Sequence, residues 1–535
     1  MMQFLRLCFI ATLAFPLAAQ DAAGPNLRPV LDESELNTFL KMIPADREII
    51  SGFSTRVRGG KQIFRIATQQ NMQQQPWVAL YNLTQQQFEQ RSREYADAGW
   101  TKAISQSYTL NRRRLHLAVW VGRDPDGKLV LPAAPVPENG TIGRELSPLN
   151  DFFKNLVREH NLPGVTVAVS LHGQMIYNRA FGYADVDRLL TMQPETEMRI
   201  ASLSKPMTAA AVQNLCYRGR LNLNQKLLPL LQQHREQFRV ASAAQTDARW
   251  QDITVRHLLQ HTAGFDRDRS GDTMFAAVRI RRELKLDQHP EIADVIRFQL
   301  RQPLDFTPGT EFHYSNVGYS LLGRVIESVS GKSYSDFMQE QVLDQIGMKQ
   351  TRLGRTRFAD RGPQEAVYVT QTRSKSPLIF DHGEVDDDGR SELVETPWGQ
   401  WDIELMDAHG GWVSTAADLV RFASALDAAA TPLSDENSRQ QRKMRPQLQD
   451  TETEPVWYGL GWSIRELPDA QGFNYWHTGL LSGTSTLLVR RWDGCCWAVL
   501  CNCDRNPDDR TVASLVDGPM HQIVNESLDL LPQNR

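Results

Sequence analysis

At 535 residues the chain has room for more than one domain and a large core. Hydrophobic residues make up 41% of it and charged residues 23%, the balance of an ordinary soluble globular protein. A net charge of -4 gives no reason to expect nucleic acid or an anionic membrane as a partner. The first predicted element is a secretory signal over residues 1–19. Arg6 gives a basic start, Leu7 to Phe15 is apolar, and Leu17-Ala18-Ala19 offers small residues for cleavage. That stretch is shorter than the ~20 residues of a spanning helix, so no membrane span is expected. Export implies an oxidising compartment. Without Cys8 the chain keeps Cys216, Cys495, Cys496, Cys501 and Cys503, an odd number that leaves at least one thiol unpaired. Cys495, Cys501 and Cys503 share one face of a predicted strand, where small buried side chains are expected in preference to a metal site.

Residues 26–130 read as a small α+β accessory module. Ser54 to Arg58 and Lys61 to Ala67 are expected to form a hairpin across Gly59-Gly60. Thr84 and Gln87 form a capping box, and Gly99 ends the helix that follows. A second β region runs from Ser107 to Trp120 with Asn111-Arg112 as its turn. Pro132, Pro135 and Pro137, with Asn139-Gly140 as a turn signal, place a linker over 131–146. Ser147-Pro148 then starts a helix in a cap-then-proline manner. Strands are expected over Gly164 to Leu171, Gln174 to Phe181, Asn474 to Thr478, Thr484 to Arg490 and Trp497 to Cys501, with a last helix from Thr511. Strands near both ends and helices between them predict an antiparallel sheet completed by both termini, with a helical insertion.

Three motifs in this larger region, 147–530, carry the chemistry. They are Ser202-Leu203-Ser204-Lys205, the only S-x-x-K of the chain; Tyr314-Ser315-Asn316, the only Y-x-N; and His477-Thr478-Gly479. Met207 to Gly219 is a helix-forming run directly behind the first. No G-x-S-x-G elbow is present, which points away from a Ser-His-Asp plan. With these motifs, and with Ile253 to Gly264, Gly410-Gly411-Trp412-Val413-Ser414-Thr415 and Tyr458-Gly459-Leu460-Gly461-Trp462, the chain resembles the serine β-lactamase-related hydrolases of the class C type. These include class C β-lactamases, D-alanyl-D-alanine carboxypeptidases, D-aminopeptidases and esterases. The resemblance implies an α+β fold: an antiparallel sheet flanked by helices plus an all-helical region, with the site in the cleft between them. The N-terminal module more weakly resembles the small module of secreted polyglycine hydrolases.

Ser202 belongs at a helix N-terminus, where the dipole favours negative charge on its oxygen. Lys205 lies one helical turn on, within reach of the hydroxyl. A serine hydroxyl needs a base. Lys205 and Tyr314 start from reference pKa values of about 10.4 and 10, so either must be lowered to serve at neutral pH. Ser202 is therefore taken as nucleophile, with Lys205 and Tyr314 as a coupled acid/base pair and Asn316 orienting the substrate amide. His477-Thr478-Gly479 is expected on an edge strand that pairs with the bound acyl chain. By resemblance the oxyanion hole is the backbone N–H groups of Ser202 and Leu480. Class C β-lactamases carry lysine where His477 stands, so the histidine favours peptidase or esterase action over β-lactam hydrolysis.

Each residue also has a plain structural reading: Ser202 as a helix cap, Tyr314 as a core tyrosine, His477 as a satisfied strand histidine. His261 and His409 are read as structural, and Glu384 to Glu395 as a solvated acidic loop rather than a calcium loop. The expectation is a monomeric, exported serine hydrolase that needs no cofactor or metal. Its substrate is a small molecule or peptide, with a D-amino acid or glycine peptide, including wall-derived ones, preferred. A β-lactamase or carboxylesterase is the alternative among enzymes. A non-turnover protein that binds penicillin or wall peptides is the alternative outside them.

Overall fold

The structure, a computed structural model, describes the chain from residue 26 to 528 except for 28–29, 44–47, 59–60, 71–75, 98–99, 112, 123–128, 130, 132–134, 143–145, 235–237, 239–245, 382–392, 427–434, 449–453 and 469–470. The expected signal segment 1–19 and most of the acidic loop 384–395 lie outside the described residues. Two compact units emerge, one reaching Phe88 and including Lys102–Trp120, the other formed by Glu89–Thr101 and everything from Val121.

In the first unit, β1 (Asn26–Leu27), β3 (Lys61–Gln70) and β2 (Glu48–Arg58) form one antiparallel sheet. The expected hairpin is present with longer arms, closing at Arg58 opposite Lys61. A second sheet joins β4 (Trp77–Leu83), β6 (Arg113–Val121) and β5 (Thr101–Leu110). The Thr84 and Gln87 capping box heads α2 (Gln85–Asp97), with reciprocal bonds of 3.0 and 3.3 Å. Helix α1 (Glu33–Met42) was not expected. It starts at a second capping box, Asp32 with Glu35.

The second unit is built on a nine-stranded antiparallel sheet. Its strands are β7 (Glu138–Ile142), β8 (Gly164–Leu171), β9 (Gln174–Asp185), β10 (Leu190–Thr191), β13 (Val456–Tyr458), β14 (Ser463–Glu466), β15 (Phe473–Leu481), β16 (Thr484–Arg490) and β17 (Cys495–Cys501). The order is β10-β9-β8-β17-β16-β15-β14-β13, with β7 on β9. Early and late segments meet where β8 pairs with β17, Val167 opposite Val499. His172 and Gly173 join β8 to β9, both at positive φ (48° and 81°), the geometry of a tight hairpin turn.

The linker expectation is corrected over 138–142. Its Asn139-Gly140 pair sits inside an edge strand, opposite Ala180 and Arg179. A side chain at Gly140 would overlap the Asn178 carbonyl, so the glycine marks close backbone approach and not a turn. Ser147 opens α3 (Ser147–Glu159) as its first residue and does not cap it. Leu146 holds that position without a side-chain bond.

Strand alternation divides the core in two. Cys495, Trp497, Val499 and Cys501 of β17 face one cluster, with Phe153 and Leu156 of α3 and Val516 and Met520 of α9 (Val512–Leu528). Cys496, Ala498 and Leu500 face the other, a larger core shared with the helices. The described cysteines form no disulfide, and Cys495, Cys496, Cys501 and Cys503 are buried.

At the centre of the larger core stands α4 (Ser204–Tyr217), buried continuously from Ser204 to Leu215. A helix buried all round carries whatever polar group it bears out of water. Against it lie α6 (Asn316–Ser330) and the short α7 (Asp407–Gly410). The remaining elements near the site are β11 (Met198–Arg199), α5 (Arg267–Ser270), β12 (Trp412–Ser414) and α8 (Ala416–Ala425). Among the described residues no helix is long and apolar enough to cross a membrane.

Candidate active site

The turn that leads into α4 is anchored to β12. Ile200 N–H donates to the Trp412 carbonyl at 2.9 Å, and Leu203 N–H returns to the Ile200 carbonyl at 3.1 Å. Ala201 adopts φ 48° between them. A left-handed conformation in a residue with a Cβ costs ~1–3 kcal/mol and persists only where its surroundings hold it. Here Ser204 Oγ donates to the Ala201 carbonyl at 2.7 Å and locks the kink. The kink sets Ser202 in a single 3₁₀ turn, Ala201–Leu203, at the head of α4.

Lys205 follows one turn later and is 0% exposed. Its Nζ lies 3.0 Å from Ser202 Oγ, 2.8 Å from Asn316 Oδ1 and 2.8 Å from the His409 carbonyl. The amide of Asn316 is oriented by Asp272, whose Oδ2 accepts from Nδ2 at 2.7 Å, so Oδ1 faces the lysine. The Asn316 and His409 oxygens can only accept. A neutral amine therefore spends both N–H groups on them and turns its lone pair to the Ser202 hydroxyl. Burial pushes the Lys205 pKa well below the ordinary lysine value. Asp272 opposes that shift, and Arg267 adds to it. The position of the His409 carbonyl is in turn fixed by a buried pair, Arg324 Nη2 on α6 to Asp407 Oδ2 on α7 at 2.6 Å.

Tyr314 lies half-buried immediately before α6, whose N-cap is Ser315, with Oγ accepting from Gly318 N–H at 3.2 Å. The phenol is hydrogen-bonded to Ser202. Lys205 Nζ is 4.7 Å from the centre of its ring and the Arg267 guanidinium 5.1 Å from it. Burial raises the Tyr314 pKa above the ordinary value, and the bond to Ser202 and the charge of Arg267 only partly offset this. The tyrosine is therefore held protonated, while burial favours the uncharged form of Lys205.

His261 sits behind this pair. Its Nδ1 accepts from Ser315 N–H at 3.1 Å, and its ring is 4.4 Å from that of Tyr314. Its role is structural, as expected, and specific: it fixes the turn that presents the tyrosine.

The third motif lies on β15, which is an interior strand, so the edge-strand expectation is corrected in part. The last pair of β14 with β15 is Ser463 opposite Trp476. Beyond it the side of β15 away from β16 has no strand partner among the described residues, where His477 to Leu481 form a local edge. Leu481 opposite Thr484 closes a two-residue hairpin. In that geometry the closing pair exchanges both bonds, so Leu480, one residue back, aims its N–H away from β16 toward the open side. Gly479 has no room for a side chain, since a Cβ would overlap Thr486 Oγ1 and the Ile200 carbonyl. This contact seats β15 against the nucleophile turn. Thr478 is exposed, and Leu480 is 41% exposed.

His477 is 4% exposed, and both its ring nitrogens are used inside the protein. Nδ1 lies 2.7 Å from the Thr478 carbonyl, and Nε2 3.0 Å from the Tyr458 hydroxyl. An acceptor at Nδ1 and a hydroxyl at Nε2 fit one neutral tautomer, with the proton on Nδ1 and Tyr458 donating to Nε2. Burial is the main cause that lowers the His477 pKa to about 3. The side chain of His477 is thus satisfied within the protein, bonded to Tyr458 and to the Thr478 carbonyl. Arg267, Asp272 and Tyr458 were missed as site residues. The first two follow the His261-Thr262-Ala263-Gly264 signature within eight positions, and Tyr458 opens a signature quoted only for resemblance.

Ser202, Lys205 and Tyr314 thus stand together at the head of α4 beside the antiparallel sheet, the grouping expected of a serine hydrolase. Residues 149–517 match the family model described as Beta-lactamase, and the chain belongs to that family. It is 28% identical over 349 residues to Penicillin-binding protein 4* of Bacillus subtilis (strain 168), covering 64% of this chain and 69% of that protein. It is also 28% identical to Protein flp of Staphylococcus aureus (strain MW2) over 40% of this chain, but spans only 39% of that relative's length. Among solved structures, EstCE1, a hydrolase with promiscuous acyltransferase activity, superposes with a TM-score of 0.54 at 19% identity, covering 72% of this chain and 98% of its own. D-amino acid amidase from Ochrobactrum anthropi SV3 gives 0.52 at 21%, covering 72% and 99%. At these identities the structural likeness establishes the fold.

Proposed function

We propose that this serine hydrolase is exported and cleaves amides, with peptides containing D-amino acids or glycine as its substrates, through an acyl-enzyme on Ser202. The observation that carries the reading is the fully buried Lys205 with its Nζ 3.0 Å from Ser202 Oγ. Lys205 takes the hydroxyl proton as Oγ attacks the substrate carbonyl carbon. The oxyanion is received by the N–H groups of Ser202 and Leu480. On collapse the carbon–nitrogen bond breaks, and the leaving nitrogen takes the proton of Tyr314, which is replaced by the proton that Lys205 took from Ser202. Water then attacks the ester, giving one proton to the lysine–tyrosine pair, and the acid leaves with Ser202 regenerated. Asn316 and the open side of β15, with Thr478 and Gly479, align the acyl chain.

A peptide or amide substrate is supported by the likeness to a penicillin-binding relative and to a D-amino acid amidase of the same fold. A neutral His477 supplies no cation for a β-lactam carboxylate, which places β-lactamase activity second. The test is hydrolysis of N-acyl-D-alanyl and N-acyl-L-alanyl peptides beside a chromogenic ester. The D-peptide is expected to be cleaved and Ser202→Ala to abolish it. Ester turnover with no peptide cleavage would make the protein an esterase. Stoichiometric labelling without turnover would make it a binding protein.

A further inference from the structure

Charge is distributed unevenly along the chain. Residues 51–123 hold eleven Lys and Arg against three Asp and Glu, in a protein whose net charge is -4. The three acids, Glu89, Glu94 and Asp97, all lie on α2, where Glu94 pairs with Arg91 at 2.7 Å and Glu89 with Arg93 at 3.8 Å. From Ser51 to Gln70 the β2–β3 hairpin carries cations and no acid. Its register sorts them by face. Phe53, Thr55, Phe64 and Ile66 are buried, so the other face is the outer one. On it Ser54 stands opposite Arg65, Arg56 opposite Ile63, and Lys61 lies one step further along β3. Arg56, Lys61 and Arg65 are exposed and, among the described residues, form no salt bridge. Three successive two-residue steps, each about 7 Å of strand, thus present a cation apiece.

These charges do not simply guard an open sheet edge. Lys61 and Arg65 lie on β3, the middle strand of its sheet. The outer edge of β2 is itself engaged at Thr55, whose N–H donates to Gln106 Oε1 of β5 at 3.0 Å and whose carbonyl accepts from Gln106 Nε2 at 3.4 Å. Recognition by an added strand is therefore blocked there, and the row of long cationic side chains is what the hairpin offers. Ser54 and the half-buried Ile63 fill the rest of the face. No aromatic ring stands on it for a base to stack on, and no broad apolar surface for a lipid layer. We propose that the outer face of the β2–β3 hairpin docks the protein on an extended, base-free polymer of repeating phosphodiesters, with Arg65, Arg56 and Lys61 each taking one phosphate in turn. Guanidinium and ammonium groups both suit phosphate oxygens. A phosphodiester of a three-carbon polyol, when extended, repeats at about the two-residue step of the strand. The docking is independent of the chemistry at Ser202.

The experiment titrates the full chain into fluorescently labelled poly(glycerol phosphate) and reads anisotropy at about 50 and about 200 mM salt. Three phosphate contacts predict an affinity that falls about 10- to 30-fold between the two. Arg56→Gln, Lys61→Gln and Arg65→Gln combined are expected to weaken binding about tenfold or more at the lower salt and to flatten the salt dependence, with ester turnover at Ser202 unchanged. Arg56→Lys with Arg65→Lys keeps the charges and is expected to retain most of the affinity, which separates lost charge from a disturbed hairpin. Arg91→Gln with Arg93→Gln removes two cations from α2 and is expected to bind as the wild type does. No binding at the lower salt, or a triple variant that binds like the wild type, overturns the proposal. So does a lysine or α2 variant that loses as much as the triple one. Tighter binding to oligodeoxythymidylate or to phosphatidylglycerol vesicles than to the polymer overturns it as well.

Discussion

Replacing Lys205 by methionine tests the protonation state on which the chemistry depends. The variant keeps most of the side-chain volume and loses the amine. It leaves the Asn316 and His409 oxygens without their donor, which costs about 1–3 kcal/mol for each at every pH. A second effect depends on pH. Because burial lowers the pKa of Lys205 in the folded protein, the unfolded chain binds one more proton between that lowered value and ~10.4. Wild-type stability relative to Lys205→Met therefore rises by about 1.4 kcal/mol per pH unit as pH increases through that window, and levels off above it. Urea unfolding of both proteins across the alkaline range measures the difference directly. Over the last one and a half units below ~10.4 it amounts to about 2 kcal/mol. The same variant loses about 10²- to 10⁴-fold in acylation rate, the contribution of a positioned base. A stability difference that does not change with pH would mean that Lys205 is charged in the fold, and the base assignment would fail.

Tyr314→Phe is expected to slow amide cleavage by 10²-fold or more while costing an activated ester much less, since only the amine needs its proton. Equal losses on both substrates would remove the tyrosine from the leaving-group step. Gly479→Ala drives a methyl group into Thr486 Oγ1 and the Ile200 carbonyl, and is expected to cost about 1–3 kcal/mol in urea unfolding together with a fall in kcat. Arg324→Ala leaves Asp407 buried without its cation, for a loss of about 3–5 kcal/mol, and slackens the His409 carbonyl that orients Lys205. Both numbers are read by denaturation and steady-state kinetics, and unchanged kinetics in Arg324→Ala would dismiss the positioning role. Acid stability is set by the lowered pKa values of buried His261, His409 and His477. Each makes the unfolded chain bind a proton the folded one refuses, so stability falls by about 1.4 kcal/mol per pH unit per histidine as pH drops below ~6.5. For His477 this continues down to about 3. His477→Gln should remove one such increment from the slope, and an unaltered slope would show that His477 titrates normally.

The candidate catalytic residues were legible because their spacing is local or unique. Ser202 and Lys205 are one helical turn apart, and Tyr314-Ser315-Asn316 recurs nowhere else. The hairpin at His172-Gly173 and the alternating faces of β17 were legible for similar reasons, since turn chemistry and a period of two are written into short segments. What failed depended on contacts far apart in the chain. Asn139-Gly140 carries a turn signature, yet the glycine answers to close approach by Asn178, some forty residues away. The bond between His477 Nε2 and Tyr458 is invisible until folding brings the two together. Arg267 looks like one charge in a polar run until folding sets it over Tyr314. Helix α1 is a different case, because Asp32 and Glu35 spell a capping box that was present in the sequence and overlooked.

The most direct measurement of the central claim is rapid-quench peptide mapping by mass spectrometry with a slowly deacylating ester. The account predicts an acyl group on the peptide that contains Ser202, absent in Ser202→Ala and formed at least a hundredfold more slowly in Lys205→Met. An adduct on any other residue, or acylation of Lys205→Met at the wild-type rate, would contradict it.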